Sequence, residues 1–435
     1  MVVLATLSAC STPPDLSGSE ASFASGTIGA KAVSPSSSLT KSAFGQRVRL
    51  AVQDSPTVAR SNSDMDIAQA NQDAARGAFL PQVSLGVNAR SDRTFANTGD
   101  VTPYLRVSQL VYDGGAARND LTAARARVLE SRGDQIQAAA ATALASIETY
   151  VLVLDRRQLL EITRKNVTTH EEIEQQIAER LSGGLGSNAD MLTAQSRVAD
   201  ARTRFADAQA RVDRAEARFR EVFGTPPPEK LQPPMPAPNL NRSDAQIVLD
   251  SPQIRRANAS VLAARAEWAA AQARRNPDVR VAAFADHDDF EDADFGVDLS
   301  VNYQLDSTGQ RRAAIAAAAA QIKQAEADRE ILIREIGREL GFIRSDQKAG
   351  ADRLRQARLA KQANADSVTA ARAQFTIGRR SLIEILDAQR DYVNAQERLI
   401  LAEQSFFLTN YAALSLTGDI LDLLGISLND WGGSL

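Results

Sequence analysis

The chain of 435 residues has one cysteine, two histidines and 5 % aromatic residues. A single cysteine forbids any disulfide within the chain, and so few Cys and His residues exclude a zinc site of the usual kind. The scarcity of aromatics argues against a set of compact globular cores. Net charge is −4, so no basic excess points to a nucleic-acid partner. No apolar run reaches 18 residues, and no transmembrane helix is expected. There is no nucleophile–base constellation, phosphate loop or metal signature, so no enzyme activity and no cofactor are expected. What the chain has instead is alanine, arginine, glutamine and leucine in long stretches, with runs at 138–141 and 316–320, a composition suited to long helices.

The lone cysteine ends Leu7-Ser8-Ala9-Cys10, which follows the apolar run Val2-Val3-Leu4-Ala5. The segment resembles a bacterial lipoprotein signal, with Cys10 as the lipidated residue; an ordinary secretory signal is the alternative. Residues 1–10 are therefore read as signal and lipobox, and 11–40, rich in Ser, Gly, Pro and Ala, as an extended tail.

From residue 41 the pattern is regular. A short helical stretch reaches Gln53, and Ser55-Pro56 opens a helix that stops before Pro81. Two alternating stretches, about 81–95 and 101–112, flank the turn signal Asn97-Thr98-Gly99-Asp100. After Asp113-Gly114-Gly115 a helical pattern runs to about Leu181, turns over 182–187, and resumes from Ser187 to Phe223. Residues 225–240 hold seven of the fifteen prolines and read as a stiff linker. The pattern then repeats over 241–418: Ser251-Pro252 matches Ser55-Pro56 at an offset of 196, and Gly378 matches Gly184 at 194. In this second repeat the strands are expected at about 278–286 and 295–305 and the helical turn at 376–381, leaving 419–435 as a C-terminal tail.

The long helices, of about 67 residues, would span roughly 100 Å each, with two shorter helices stacked end to end beside each one. From Phe295 to Leu305 apolar and polar residues alternate strictly, over the length a barrel strand needs to cross a bilayer. Four strands leave open edges, which lipid does not tolerate, whereas three chains supply twelve. The fold class is mainly α with a small β part: antiparallel coiled-coil hairpins in tandem duplication plus four strands, completing a 12-stranded β-barrel as a homotrimer.

The duplication, the Gln109-Leu-Val-Tyr-Asp-Gly-Gly115 junction, and the paired turns Gly184-Leu185-Gly186-Ser187-Asn188-Ala189-Asp190 and Gly378-Arg379-Arg380-Ser381-Leu382-Ile383-Glu384 resemble those of TolC-like outer-membrane efflux and secretion channels. The resemblance covers about residues 40–420. It implies a homotrimer in outer-membrane lipid whose 12-stranded β-barrel continues into a long periplasmic α-barrel, and an export duct serving an inner-membrane transporter (ABC or proton-driven) through a periplasmic adaptor. By position it implies a periplasmic gate of Asp190, Arg380, Glu384 and Asp387. Arg380 would tie a coil to Asp190 of a neighbouring protomer, and Glu384 and Asp387 would form an acidic ring. The tip residues Gly184, Leu185, Gly186, Ser187, Gly378, Arg379, Arg380 and Ser381 would meet the adaptor. The Thr–Tyr link of one well-known form of the family is replaced here by Ala189 and Phe375. Without the resemblance, the acids read equally well as first-turn residues favoured by the helix dipole.

Two further features have plain readings. The acidic stretch Asp286, Asp288, Asp289, Glu291, Asp292 and Asp294, with His287, lacks the spacing of a calcium loop and reads as a solvated loop. His170, within a charged helical stretch, is expected at the surface. The alternative to a channel is a lipid-anchored periplasmic coiled-coil adaptor or structural protein of an export complex.

Overall fold

The computed structural model describes residues 12–24, 37–89, 101–184, 186–240, 242–288 and 292–427. The first half contains helices α1 (Ser17–Ala24), α2 (Ser37–Lys41), α3 (Ala43–Gln53) and α4 (Pro56–Gly77). Strands β1 (Gln82–Ala89) and β2 (Val101–Tyr112) follow, then helices α5 (Ala116–Ser182) and α6 (Asn188–Phe223). The second half contains α7 (Asp244–Asp250), α8 (Pro252–Ala273), β3 (Asp278–Asp288), β4 (Asp292–Asn302), α9 (Gln310–Thr376), α10 (Leu382–Thr417) and α11 (Asp419–Leu424). The duplication holds to the residue in the six longest helices: α4 and α8 have 22 residues, α5 and α9 have 67, and α6 and α10 have 36.

Local chemistry sets these boundaries. Pro56 and Pro252 sit in the first turn of α4 and α8, where a missing N–H costs nothing. At the strand-to-helix junction Asp113 accepts hydrogen bonds from the N–H groups of Gly115 (2.8 Å) and Ala117 (2.6 Å). Asp306 does the same for Arg311 (3.1 Å) and Arg312 (3.3 Å). Each junction needs a left-handed residue before the helix, Gly115 at φ 93° and Gly309 at φ 76°.

The four strands form one antiparallel sheet in the order β1-β2-β3-β4, so the β2–β3 pair joins the two halves. Among the described residues, outer strands β1 and β4 each leave one edge without a partner in the sheet. The register aligns Leu85, Leu105, Ala285 and Phe295 in one row and Val83, Val107, Ala283 and Val297 in the next. This apolar face is bare: Leu85 is 81 % exposed and Phe295 75 %. β4 starts and ends earlier than its alternation predicts. Tyr303 and Leu305 follow it in the approach to Asp306, which is committed to capping α9. β3 runs two residues past the expected 286. The Asn97–Asp100 turn and Asp289 to Glu291 of the acidic stretch lie outside the described residues.

α5 packs against α4 and α6, and α9 against α8 and α10, as end-to-end stacking requires; α5 also touches α8 and α10, which binds the halves together. The main core lies at mid-length, where the ends of α6 and α10 meet the starts of α4 and α8. It gathers Ile147 and Tyr150 of α5, Phe219 of α6, Ile254 of α8, Leu340 of α9 and Leu414 of α10. The Pro-rich linker is strapped across this core: the Tyr150 hydroxyl donates to the Gln232 carbonyl (2.9 Å) and the Tyr411 hydroxyl to that of Met235 (2.6 Å). Burial raises the Tyr411 hydroxyl above the ordinary phenol range.

Three expectations are corrected. The segment read as an extended tail contains α1 and the buried Leu16, which packs on Ala126 and Ala263. The segment read as a C-terminal tail begins with α11, whose six residues are all buried, and Arg49 donates to the Leu424 carbonyl at 2.9 Å. His170 is buried rather than at the surface: α5 packs on both sides there, against α6 and α10. Separately, one 18-residue window of α5 is apolar enough to cross a bilayer by composition, but 56 % of it is buried, and it belongs to a helix that serves the core.

Candidate functional site

The two helical hairpins turn together at the end of the molecule opposite the sheet. In the first, Gly184 takes φ 76° and the Ser187 hydroxyl caps α6 by accepting from the Asp190 N–H at 3.2 Å. In the second, Gly378 takes φ 75°, and the Arg379 N–H closes the turn on the Gln374 carbonyl at 2.9 Å. Both glycines hold a backbone conformation that side chains with a Cβ resist. Gly184, Ser187, Gly378, Arg379 and Ser381 are exposed, and Gly186 and Arg380 are half-buried. Leu185, like Cys10, lies outside the described residues.

A small core locks the turns side by side. Ile173 and Ile177 of α5, Ala371 and Phe375 of α9, and Leu382 and Ile385 of α10 form one buried cluster. Arg180 closes it from the first hairpin. Its guanidinium lies 4.2 Å from the centre of the Phe375 ring and donates to the Phe375 carbonyl at 2.9 Å. The positive charge thus sits at the carbonyl end of α9, where the helix dipole favours it. Higher up, the Gln389 amide donates to the Asn166 amide oxygen at 3.2 Å in a buried site between α10 and α5. His170 lies one turn from Asn166; burial, reinforced by Arg197 and Arg204, pushes its pKa down and favours the neutral form.

Glu384 serves its own helix. One carboxylate oxygen accepts from the Ser381 N–H (2.8 Å) and hydroxyl (2.9 Å), completing a capping box. These bonds, with a smaller contribution from Arg380, hold the Glu384 carboxyl below the ordinary carboxylate range. Arg380 donates to the Gln374 amide oxygen at 2.8 Å and stands 4.0 Å from Glu384. Asp387 pairs with Arg390 at 3.0 Å. Asp190 has no ion pair among the described residues, and Arg380 does not reach it within one chain. The tip thus brings Arg380 and Glu384 together, leaves Asp190 open, and presents carboxylates at the first turns of α6 and α10.

Sequence reading missed three exposed apolar residues at this end, Leu192, Ile377 and Ile383, which are 67 %, 64 % and 61 % exposed. It also missed Arg180. The one available signal was its place in the last turn of α5, opposite Phe375 by the duplication.

Residues 48–225 and 245–417 match the family described as outer membrane efflux protein. The outer membrane efflux protein BepC of Brucella suis is 25 % identical over 391 residues, covering 85 % of this chain and 84 % of that protein. Among solved structures, the outer-membrane channel OprN superposes with a TM-score of 0.77 at 19 % identity, covering 96 % of this chain and 99 % of the other. The open state of the MtrE outer membrane channel of Neisseria gonorrhoeae superposes with a TM-score of 0.75 at 15 % identity, covering 88 % and 89 %.

Proposed function

The chain belongs to the outer membrane efflux protein family, and from this we propose how its parts make an efflux duct gated at the turns of its two hairpins. The family consists of outer-membrane channels rather than enzymes, and the helical part stands in the periplasm. Three copies join through the open edges of β1 and β4 into a 12-stranded barrel, with the bare apolar face toward lipid and the polar face toward the lumen. Helices of roughly 100 Å carry the lumen on toward the inner membrane. The observation that carries this reading is the sheet: an exposed apolar face and two unpaired edges at one end of a helical rod. Cys10 is the lipid attachment point of the mature chain.

At the far end, Gly184 to Ser187 and Gly378 to Ser381 are the surfaces that a periplasmic adaptor meets. An inner-membrane transporter, ABC or proton-driven, delivers cargo there. Asp190, Glu384 and Asp387 of three chains line a narrow entrance that favours cations. Arg380 has Glu384 within its own chain and Asp190 of a neighbour as competing partners, so opening is an exchange of partners. Planar-bilayer recording of the purified trimer tests the gate. Glu384→Gln with Asp387→Asn should raise relative anion conductance and blunt block by multivalent cations. Unchanged selectivity and block in the double variant would refute the acidic ring.

A further inference from the structure

The polar face of the sheet carries two large rings where a water-filled duct would favour small polar groups. Tyr104 of β2 stands directly across from Gly86 of β1, and Phe284 of β3 directly across from Gly296 of β4. In both pairs the far end of the ring reaches over the glycine and covers the place of its missing side chain. A Cβ on Gly86 would come within 2.5 Å of the Tyr104 hydroxyl, and one on Gly296 within 2.3 Å of the tip of the Phe284 ring. Both distances are far inside van der Waals contact, so each ring occupies the volume a side chain would otherwise fill. The tandem duplication does not produce this pattern. It places the glycine on the first strand of one half and on the second strand of the other. Both glycines therefore fall on the outer strands, and both rings on the inner strands lean outward.

Arg106 fixes the arrangement from the centre. It lies across from Phe284 in the register, its guanidinium is 5.7 Å from the ring centre, and it pairs with Asp298 of β4 at 3.2 Å. Phe284 is thus flanked by Arg106 on one side and the glycine floor on the other. If a methyl group fills the floor, the ring cannot move toward β2 without meeting the guanidinium. The remaining direction is away from the sheet.

We propose that Gly86 and Gly296 set the bore of the barrel, by giving Tyr104 and Phe284 a floor on which to lie against the wall. With three chains, six rings line the duct in two successive rows, and side chains at 86 and 296 would raise them into it. The residues thereby set an upper size limit on cargo leaving the barrel. This inference rests on the reading that the polar face lines the duct.

Thiol access from outside intact cells tests it. Ser300 lies exposed on the same face, two rows further toward the helices. Ser300→Cys is labelled with a small methanethiosulfonate cation and, separately, with a maleimide carrying a polyethylene glycol chain; the parent protein, whose one cysteine carries its lipid on the sulfur, gives the background. Gly296→Ala should slow the large reagent several-fold while sparing the small one, and Gly86→Ala should do the same. Adding Phe284→Ala to Gly296→Ala, or Tyr104→Ala to Gly86→Ala, should restore the large reagent's rate. An unchanged rate in the glycine variants overturns the proposal. So does a loss that removal of the ring fails to restore, because the cause would then be a disturbed sheet. If even the small reagent fails to label Ser300→Cys, the polar face does not line the duct, and the failure lies in that earlier reading.

Discussion

Arg180 makes two contacts that lysine cannot make together, a planar stack on a ring and a directed bond to a carbonyl beside it. Arg180→Met should remove about 1–3 kcal/mol of hairpin-to-hairpin contact. At 1.4 kcal/mol per tenfold, the open fraction of the tip would rise by roughly one to two orders of magnitude. Single-channel open probability reads this, and Arg180→Lys should fall between the two. The Ser381–Glu384 capping box was legible from spacing, whereas the Arg180 contact was not, because it joins residues 195 apart. The sequence alone shows that Phe375 cannot form the Thr–Tyr link of one well-known form of the family, but not that Arg180 lies on its ring. Asp155 of α5 gives a pH-dependent prediction at the same scale. Burial, opposed by Arg156 and reinforced by Glu403, raises its pKa from 3.8 to about 7. The folded chain therefore holds this proton more tightly than the unfolded one. Stability from this group is greatest at acid pH, declines as pH rises from about 4 to about 7, and is flat above that. Asp155→Asn should raise the melting temperature more at pH 8 than at pH 5, and an equal rise at both would contradict the linkage.

The elements were the most legible part of the chain, because each boundary has a chemical marker. Proline in the first turn, aspartate at the strand-to-helix junction and glycine at the turns punctuate both halves alike. The junction caps can be ranked by geometry. Asp113 bonds its two N–H groups at 2.8 and 2.6 Å, Asp306 at 3.1 and 3.3 Å. Asp113→Ala should cost about 1–2 kcal/mol and Asp306→Ala less. The fall in trimer melting temperature should follow the same order. Short elements escaped detection for a physical reason. α1 and α11, of eight and six residues, are too brief to show a helical period. Their placement is decided by partners far along the chain, Ala126 and Ala263 for Leu16 just before α1 and Arg49 for the α11 end. His170 was misread because the charges around it belong to the exposed faces of α5, and the inward position among them is visible only once α6 and α10 are docked.

At the scale of the whole molecule the sheet decides where the protein resides, and its two faces make opposite demands. Sequence alternation alone separated them, since one face of β4 carries Phe295, Val297, Leu299 and Val301 and the other Gly296, Asp298 and Ser300. The helices gave no such signal of compartment; a sheet buried against a second sheet would show the same alternation. What settles the outer-membrane assignment is the bareness of the apolar face together with the family to which the chain belongs. Arginine placed face by face turns this into a measurement. At Leu85 or Val297 it would stand in lipid at a cost of about 2–4 kcal/mol per chain near the midplane, and a trimer bears that cost three times. At Ser84 or Ser300, one position away from a lipid-facing neighbour, it would stand in the lumen and cost little. Leu85→Arg and Val297→Arg should therefore abolish the heat-modifiable trimer and its resistance to carbonate extraction, while Ser84→Arg and Ser300→Arg leave both intact. Equal tolerance of the two sets would mean that neither face meets lipid, and loss of the trimer in both would mean that the strands tolerate no arginine on either side.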